Sequence, residues 1–240
     1  MRAASGGKGP RQGRPLVMEV VGPAGAGKST LCQLLNRHTD QVQLQDFPDV
    51  RKMKDAPFFI SNCLQLVPSL FRLYRPDSRL LTRRELAWLA ILRGWPFLLC
   101  REGRDDGKTI ILDQGPVYLM AEVRLFGPEY LKQKDAERFW EKLYHRWETA
   151  LSTIVCLDAA DAILMDRIRV REQEHVVKTE TADVMCDFLN KYRMEYKSLL
   201  SNFTAGWPGL RILQFDTGIQ QPHVIAEQLL HELQCGETVR

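Results

Sequence analysis

The stretch that most constrains the fold is residues 16–30, LVMEVVGPAGAGKST, in which an apolar run passes directly into a glycine-rich turn. Residues 22–29 fit the spacing G-x-x-x-x-G-K-[S/T], and an apolar, helix-like segment follows them. Glycines let the backbone curl so that successive N–H groups point inward, and the next helix adds its partial positive charge. The sequence therefore predicts a strand, a phosphate-binding loop and a helix.

The composition of this loop indicates a nucleoside triphosphate, and we expect ATP and Mg²⁺ as its ligands. The residues predicted to contact the nucleotide are Gly22, Pro23, Ala24, Gly25, Ala26, Gly27, Lys28, Ser29 and Thr30. Lys28 is expected to bring a full charge to the β- and γ-phosphates and so to act in catalysis. The hydroxyl of Ser29 is expected to bind the metal.

Five short apolar runs rich in β-branched residues predict the strands of a parallel sheet, at 15–21, 42–45, 109–113, 152–158 and 210–216. Helix-period stretches lie between them, at 28–38, 79–100, 129–150, 159–172, 181–201 and 220–234. This alternation indicates right-handed crossovers and a doubly wound α/β sheet. The long stretch between the second and third strands leaves room for two helices that wall an acceptor pocket.

The charge distribution argues against nucleic acid as a partner. The formal net charge is +3, and residues 1–14 contain four basic residues and no acid, which leaves −1 for the remainder. We predict a disordered basic tail at 1–14 and a single domain at 15–240. The most apolar run, 86–100, is too short to span a bilayer and contains Arg93 and Pro96, so no membrane association is expected.

The cysteines and the N-terminus favour a cytoplasmic protein. Six cysteines are scattered along the chain without a C-x-x-C pair, which is typical of free thiols in a reducing compartment. The N-terminal residues lack the apolar segment of a secretory signal. We therefore expect a cytoplasmic location.

Three predicted strands end on an aspartate, namely Asp113, Asp158 and Asp216. Ligands of open α/β sheets bind at this carboxyl edge. Asp113 is expected to hold Mg²⁺ together with Ser29, directly or through water, with helix capping as the alternative. For Asp158 and Asp216, each taken alone, capping of the next helix explains the residue at least as well.

Arg167, Arg169 and Arg171 come together near the end of the helix predicted after the fourth strand. Phosphoryl transfer spreads negative charge over the oxygens of the moving group, and arginines that close over it stabilise that charge. Arg167 and Arg171 share a helix face and are expected to be catalytic. The alternative is a solvated basic face paired with Glu172 and Glu174.

Other classes of nucleotide-binding protein fit the sequence less well. Switch GTPases read guanine with N-K-x-D, whereas residues 190–193 read NKYR and lie in a helix-like stretch. Motor and transporter ATPases bring additional domains, for which a chain of 240 residues has no room. A small-molecule kinase needs only the core, an acceptor pocket and a cationic lid.

The phosphate-binding loop, the strand-end aspartate followed by ILMDRIRVR, and the closing LRILQFDTG and HVIAEQLLHEL resemble the thymidylate kinase and deoxynucleoside kinase branch of the P-loop nucleoside and nucleotide kinases. The resemblance extends over residues 16–233. It implies a five-stranded parallel sheet in the order 2-3-1-4-5, Mg·ATP as the donor, and a helical lid at 167–180. It also implies that Arg169 contacts the nucleotide and that Asp216 and Thr217 flank the adenine.

The acceptor side is less defined. The family places a carboxylate after the second strand, where Asp46 is the first candidate for the acceptor-side base and Asp49 the second, with an exposed turn as the alternative. Arg51 is a candidate clamp for an acceptor phosphate. The family also has an arginine after the acid of the third strand, where this chain has Gln114.

These features predict an ATP-dependent kinase that phosphorylates a nucleoside, a nucleoside monophosphate or a similar small molecule. Two alternatives stay open: an ATP-binding regulatory module without turnover, and a kinase for a non-nucleoside hydroxyl compound. The identity of the acceptor is not determined by the sequence. A homodimer is compatible with the sequence, which does not determine the oligomeric state.

Overall fold

A computed structural model describes residues 16–106, 108–172 and 174–238. The basic tail predicted at 1–14 lies outside the described residues. In chain order the elements are β1 (Val17–Val21), α1 (Lys28–His38), β2 (Val42–Leu44), α2 (Ala56–Leu73), α3 (Arg83–Asp106), β3 (Thr109–Leu112), α4 (Pro116–Phe126), α5 (Glu137–Trp147), β4 (Leu151–Asp158), α6 (Asp161–Val170), α7 (Ala182–Gly206), β5 (Arg211–Asp216) and α8 (Pro222–Thr238).

The five strands form one parallel sheet in the order β2-β3-β1-β4-β5, as predicted. Because all strands run the same way, their carboxyl ends meet at one edge of the sheet. That edge carries the loop after β1, Asp113 directly after β3, and the last residues of β4 and β5, Asp158 and Asp216. The topology therefore gathers the candidate residues that are dispersed in the sequence.

Helices cover both faces of the sheet, which explains the apolar character of its central strands. All five residues of β1 and all four of β3 are buried. Met18 and Val20 face a core shared with α1 and α8. Val17 and Val21 face the opposite core, built with α3, α4, α5 and α7. Only strands covered on both faces lack polar alternation in this way.

Two helix predictions differ from the structure. The helix α4 was not predicted, because nine of its eleven residues are apolar and its sequence therefore lacks an amphipathic period. The stretch predicted as one helix at 129–150 contains two short 3₁₀ turns, Glu129–Leu131 and Lys134–Ala136, followed by α5. The two helices expected between the second and third strands are α2 and α3.

None of the helices in the described ranges combines the length and the apolar character that crossing a bilayer requires. Five cysteines have described side chains, and no disulfide joins them.

Candidate nucleotide-binding site

The loop between β1 and α1 depends on glycines at two close approaches. Gly22 has φ +153°, and a Cβ there would lie 2.1 Å from the carbonyl oxygen of Leu157 on β4. Gly25 has φ +81°, and its Cβ would lie 2.8 Å from the carbonyl oxygen of Leu164 on α6. Side chains are strained at such φ values and have no space here. The glycines therefore let the loop pack directly against β4 and α6.

The main-chain amides of this loop form an anion-binding concavity. The Ala26 amide donates to the Pro23 carbonyl at 3.3 Å, whereas the amides of Gly27, Lys28 and Ser29 have no acceptor among the described residues. These three residues line a cavity of about 410 Å³ that opens at the N-terminus of α1. Unpaired amides at a helix N-terminus bind anions because their N–H groups and the helix dipole both favour negative charge.

Lys28 lies over the same cavity. Its Nζ donates to the carbonyl oxygens of Gly22 and Pro23 at 2.9 and 3.0 Å. Burial lowers the pKa of Lys28 from its ordinary 10.5 to about 8, and the negative charge of Asp113 acts in the opposite direction. The amine is thus held by neutral carbonyls, which a phosphate oxygen can replace as a partner.

Ser29 and Asp113 meet at the edge of the sheet. The Ser29 hydroxyl donates to Oδ2 of Asp113 at 2.7 Å. The other oxygen, Oδ1 of Asp113, is buried and has no hydrogen-bond partner in the described structure. An unpartnered carboxylate oxygen beside a hydroxyl fits a hard cation such as Mg²⁺, which takes oxygen ligands. No group of three or more His, Cys, Asp or Glu residues that could hold a metal occurs in the described ranges.

The three arginines of the predicted lid have different positions. Arg167 donates from Nη1 to Oγ1 of Thr217 at 2.9 Å and from Nη2 to the Thr217 carbonyl at 2.7 Å. Arg167 and Arg171 both line the 410 Å³ cavity. Arg169 is exposed and is not among the lining residues. Lys178 donates from Nζ to the Arg171 carbonyl at 2.6 Å, a contact within the predicted lid segment.

The loop after β5 separates its two predicted residues. Thr217 is buried, lines the cavity, and donates from its amide to the Asp158 carbonyl at 2.8 Å. Asp216 is exposed, accepts the Gly218 amide at 2.7 Å, and lines a neighbouring groove of about 780 Å³. Of the two, Thr217 is the residue that faces the cavity.

Asp158 has a structural role that involves a residue not assigned from the sequence. Arg193 on α7 donates to both carboxylate oxygens of Asp158, at 2.8 and 3.0 Å, and also to Asp161 at 2.5 Å. The Ala159 amide donates to the same carboxylate at 2.8 Å. Arg193 thereby ties α7 to the β4–α6 turn. The two acids and the arginine lie too far apart in the sequence for this contact to be read from spacing.

On the acceptor side, Asp46 follows β2 at the edge of the sheet that also carries Asp113. Leu44 pairs with Ile111, and the Gln45 amide still donates to the Ile111 carbonyl at 2.9 Å, so the pairing of β2 with β3 continues up to the residue before Asp46. Asp46 is exposed and has no hydrogen-bond partner among the described residues.

The next residues anchor this loop. The ring of Phe47 packs edge-to-face on Trp95 of α3, with the centroids 6.3 Å apart. Asp49 is occupied within its own turn, where it accepts the Arg51 amide at 2.9 Å, and Arg51 itself is exposed. The structure therefore leaves the carboxylate of Asp46 available and that of Asp49 engaged.

Two further residues of this edge had no role assigned from the sequence. Burial raises the pKa of Tyr118 to about 12, the charge of Glu122 and a hydrogen bond to its carboxylate act in the same direction, and the positive charge of Arg84 opposes them. The guanidinium of Arg84 lies 4.4 Å from the ring centroid of Trp88. Tyr118 stands five residues after Asp113, but its side-chain direction follows from α4, which was not predicted.

Solved structures share this architecture. The chain is similar to thymidylate kinase from Candida albicans, with a TM-score of 0.54, 16% sequence identity and 93% of each chain covered. It is also similar to deoxyadenosine kinase from M. mycoides. The structure of that enzyme with the products dCMP and dCDP gives a TM-score of 0.50 at 14% identity, with 92% of this chain and 100% of that chain covered. The structure with dATP gives 0.50 at 13% identity, with 91% and 100% covered.

The fold is that of the P-loop nucleotide kinases, in agreement with the resemblance read from the sequence. At these identities the similarity establishes the fold alone. No protein-family model and no curated protein sequence matches the chain.

Proposed function

We propose that this protein is an ATP-dependent phosphotransferase that transfers the γ-phosphoryl group to a hydroxyl of a nucleoside or a nucleoside monophosphate. The observation that carries the proposal is the cavity at the N-terminus of α1, where unpaired amides, the Lys28 amine and two arginines converge. Such a concentration of donors around 410 Å³ suits a triphosphate and leaves room beside Thr217 for part of a base.

On the donor side, the loop amides and Lys28 bind the phosphate oxygens, and Arg171 faces the same space from the lid. Arg167 fixes the distance between the loop and Thr217 through its bonds to Thr217 and to the Gly25 carbonyl. Charge on the transferring group is stabilised by donors that are already in place, which is the main source of rate in such reactions. We assign binding of the nucleotide to residues 22–30, with Thr217 beside the base.

Ser29 and Asp113 are the residues that would hold Mg²⁺, because a hydroxyl and an unpartnered carboxylate oxygen meet there. When bound, the metal neutralises phosphate charge and orients the β- and γ-phosphates. The residues Asp46 and Arg84 then serve the acceptor. Asp46 takes the proton of the attacking hydroxyl as the new P–O bond forms and the bond to ADP breaks.

Two observations favour a nucleoside-like acceptor over other hydroxyl compounds. Phe47, the residue after Asp46, packs its ring against Trp95 of α3, so the loop that carries Asp46 also carries an aromatic side chain. The exposed guanidinium of Arg84 lies 4.4 Å from the ring centroid of Trp88 and offers a flat cationic surface. A flat base can stack on such a surface while its sugar hydroxyl approaches Asp46.

Release of ADP in the presence of a panel of nucleosides, nucleoside monophosphates and simple alcohols tests the proposal. Turnover stimulated by a nucleoside or a monophosphate supports it. Turnover only with a non-nucleoside hydroxyl compound would show that the protein is a kinase for a different class of acceptor. Tight ATP binding without stimulation by any acceptor would identify a regulatory module instead.

A further inference from the structure

Glu19 is the charged residue inside the otherwise apolar strand β1, and it is completely buried. Strand periodicity points its side chain away from α1 and α8, towards the core that α4 shares with α7. Isolated carboxylates are rarely buried in a sheet, because the loss of hydration costs free energy unless hydrogen bonds replace it. The hydrogen-bond donors around Glu19 therefore indicate why this residue is buried.

Both oxygens of Glu19 accept amides from the first turn of α4. Oε2 accepts the Val117 amide at 2.9 Å, and Oε1 accepts the Tyr118 amide at 2.9 Å. The helix begins with Pro116, which has no N–H, and the Leu119 amide donates to the Gly115 carbonyl at 3.0 Å. The Leu119 bond is the first one within the helix, so the positions without an intrahelical partner are 115–118. Pro116 has no N–H, and the amides of Gly115, Val117 and Tyr118 all donate to the carboxyl group of Glu19, which lies on another strand.

Gly115 makes room for this long-range cap. It precedes α4 and provides no side-chain cap of its own. A Cβ at this position would lie 2.6 Å from Cδ of Glu19. The contact between strand and helix therefore requires both the length of a glutamate and the absence of a side chain at position 115.

The cap also determines where the candidate metal ligands stand. Asp113 and Gln114 are the two residues between β3 and Gly115, so fixing the start of α4 fixes the chain on both sides of Asp113. Glu19 itself lies three residues before Gly22, on the strand that leads into the loop bearing Ser29. Glu19 thus connects the two segments whose side chains meet in the Ser29–Asp113 bond.

We propose that Glu19 is a positioning residue, whose carboxyl group caps α4 and so holds Asp113 beside Ser29 in the arrangement that binds Mg²⁺. The metal part rests on the proposed function, whereas the capping part rests on the contacts of Glu19 alone. Residues that orient metal ligands typically change metal affinity by about 10- to 100-fold when substituted.

The test compares Glu19→Gln with Glu85→Gln. Glutamine keeps the size of the side chain but turns one acceptor into an NH₂ group that faces an amide N–H. Glu85 is also buried and accepts a backbone amide, that of Thr82 at the start of α3, and it pairs in addition with Arg79, so Glu85→Gln is a demanding control for loss of a buried carboxylate at a helix start. Calorimetric titration with ADP at a series of MgCl₂ concentrations gives the Mg²⁺ midpoint of nucleotide binding.

We expect Glu19→Gln to raise this midpoint about 10-fold or more while ADP binding without Mg²⁺ stays the same, and Glu85→Gln to leave the midpoint unchanged. Gly115→Ala, which keeps the carboxylate but displaces it, is expected to act in the same direction as Glu19→Gln. An unchanged midpoint in Glu19→Gln, or equal shifts in Glu19→Gln and Glu85→Gln, would overturn the metal part.

Amide hydrogen exchange separates this proposal from the proposed function, because it needs no ligand. Exchange of the segment 113–118 should rise about 10-fold or more in Glu19→Gln and stay unchanged in Glu85→Gln. Equal protection of this segment in Glu19→Gln and the unsubstituted protein would overturn the capping part. If the unsubstituted protein binds no nucleotide in the presence of Mg²⁺, the proposed function and the metal part fail together, and the exchange result still decides the cap.

Discussion

The buried carboxyl of Glu19 makes the free energy of unfolding depend on pH, and Glu19→Gln removes this dependence. Burial raises the pKa of Glu19 from 4.5 to about 8, against the opposing effect of the amides of Tyr118, Val117 and Gly115. Because the pKa is higher in the folded state, the folded state binds this proton more tightly. The stability that the proton contributes is complete below the unfolded-state pKa and is lost as the pH rises through the folded-state pKa.

The size of the effect follows from the two pKa values. They lie about 3.5 units apart, and one unit corresponds to ~1.4 kcal/mol, so Glu19 changes the free energy of unfolding by at most about 5 kcal/mol across this range. Other groups titrate in both proteins and cancel to a first approximation. Burial raises the pKa values of Cys156 on β4 and Tyr196 on α7, and the negative charge of Glu19 raises both further, so these two groups interact with Glu19.

Urea unfolding without nucleotide, in steps from about pH 5 to about pH 8, measures the difference in free energy of unfolding between the unsubstituted protein and Glu19→Gln. We expect the advantage of the unsubstituted protein to decrease steadily as the pH rises. A difference that stays constant would mean that the helix amides balance the effect of burial, and one that grows with pH would mean that they outweigh it; either result would show that the pKa of Glu19 is not raised in the folded state.

Three further predictions concern the reaction. Lys28→Ala should abolish phosphoryl transfer from ATP in an ADP-release assay while circular dichroism stays unchanged; full activity would contradict the role of Lys28 towards the donor. Asp46→Asn should lower kcat by about 100-fold while the Kd for ATP changes little, because the carboxylate acts on the acceptor proton. If neither constant changes, the base lies elsewhere, and Asp49→Asn is the next variant. Asp113→Asn should raise the Mg²⁺ concentration needed for half-maximal ADP binding by about 10-fold or more, and an unchanged midpoint in calorimetry would remove Asp113 from the metal site.

The sheet could be predicted from the sequence because its strands are buried on both faces and their helices alternate with them. The run of residues 22–29 specifies its own local structure, since few backbones other than a phosphate-binding loop use this spacing between a strand and a helix. The acids at the strand ends followed from the same topology. In the sheet, local sequence and global fold agree, and the strand order could therefore be predicted.

The parts that escaped prediction depend on contacts between distant residues. The helix α4 is nearly all apolar, so its sequence shows no helical period. Glycine–proline pairs stand at both of its ends, at 115–116 and 127–128, and such pairs are typical of turns and loops. Glu19 is a single charged residue in an apolar strand, and the amides that it accepts, those of Val117 and Tyr118, lie about a hundred residues further along the chain. Arg193 likewise shows its role only when α7 is placed against β4.

We propose that the loop after β1 binds a triphosphate tail through its amides and Lys28. Calorimetric titration of the full chain with ATP, ADP and adenosine in the presence of Mg²⁺ measures this binding, with Lys142→Ala, at an exposed lysine on α5, as the control for loss of a charge. We expect ATP and ADP to bind, adenosine to bind far more weakly, and Lys28→Ala to lose the preference for phosphates while Lys142→Ala keeps it. Equal binding of ATP and adenosine, or ATP binding that is unaffected by Lys28→Ala, would show that the loop does not bind the phosphates.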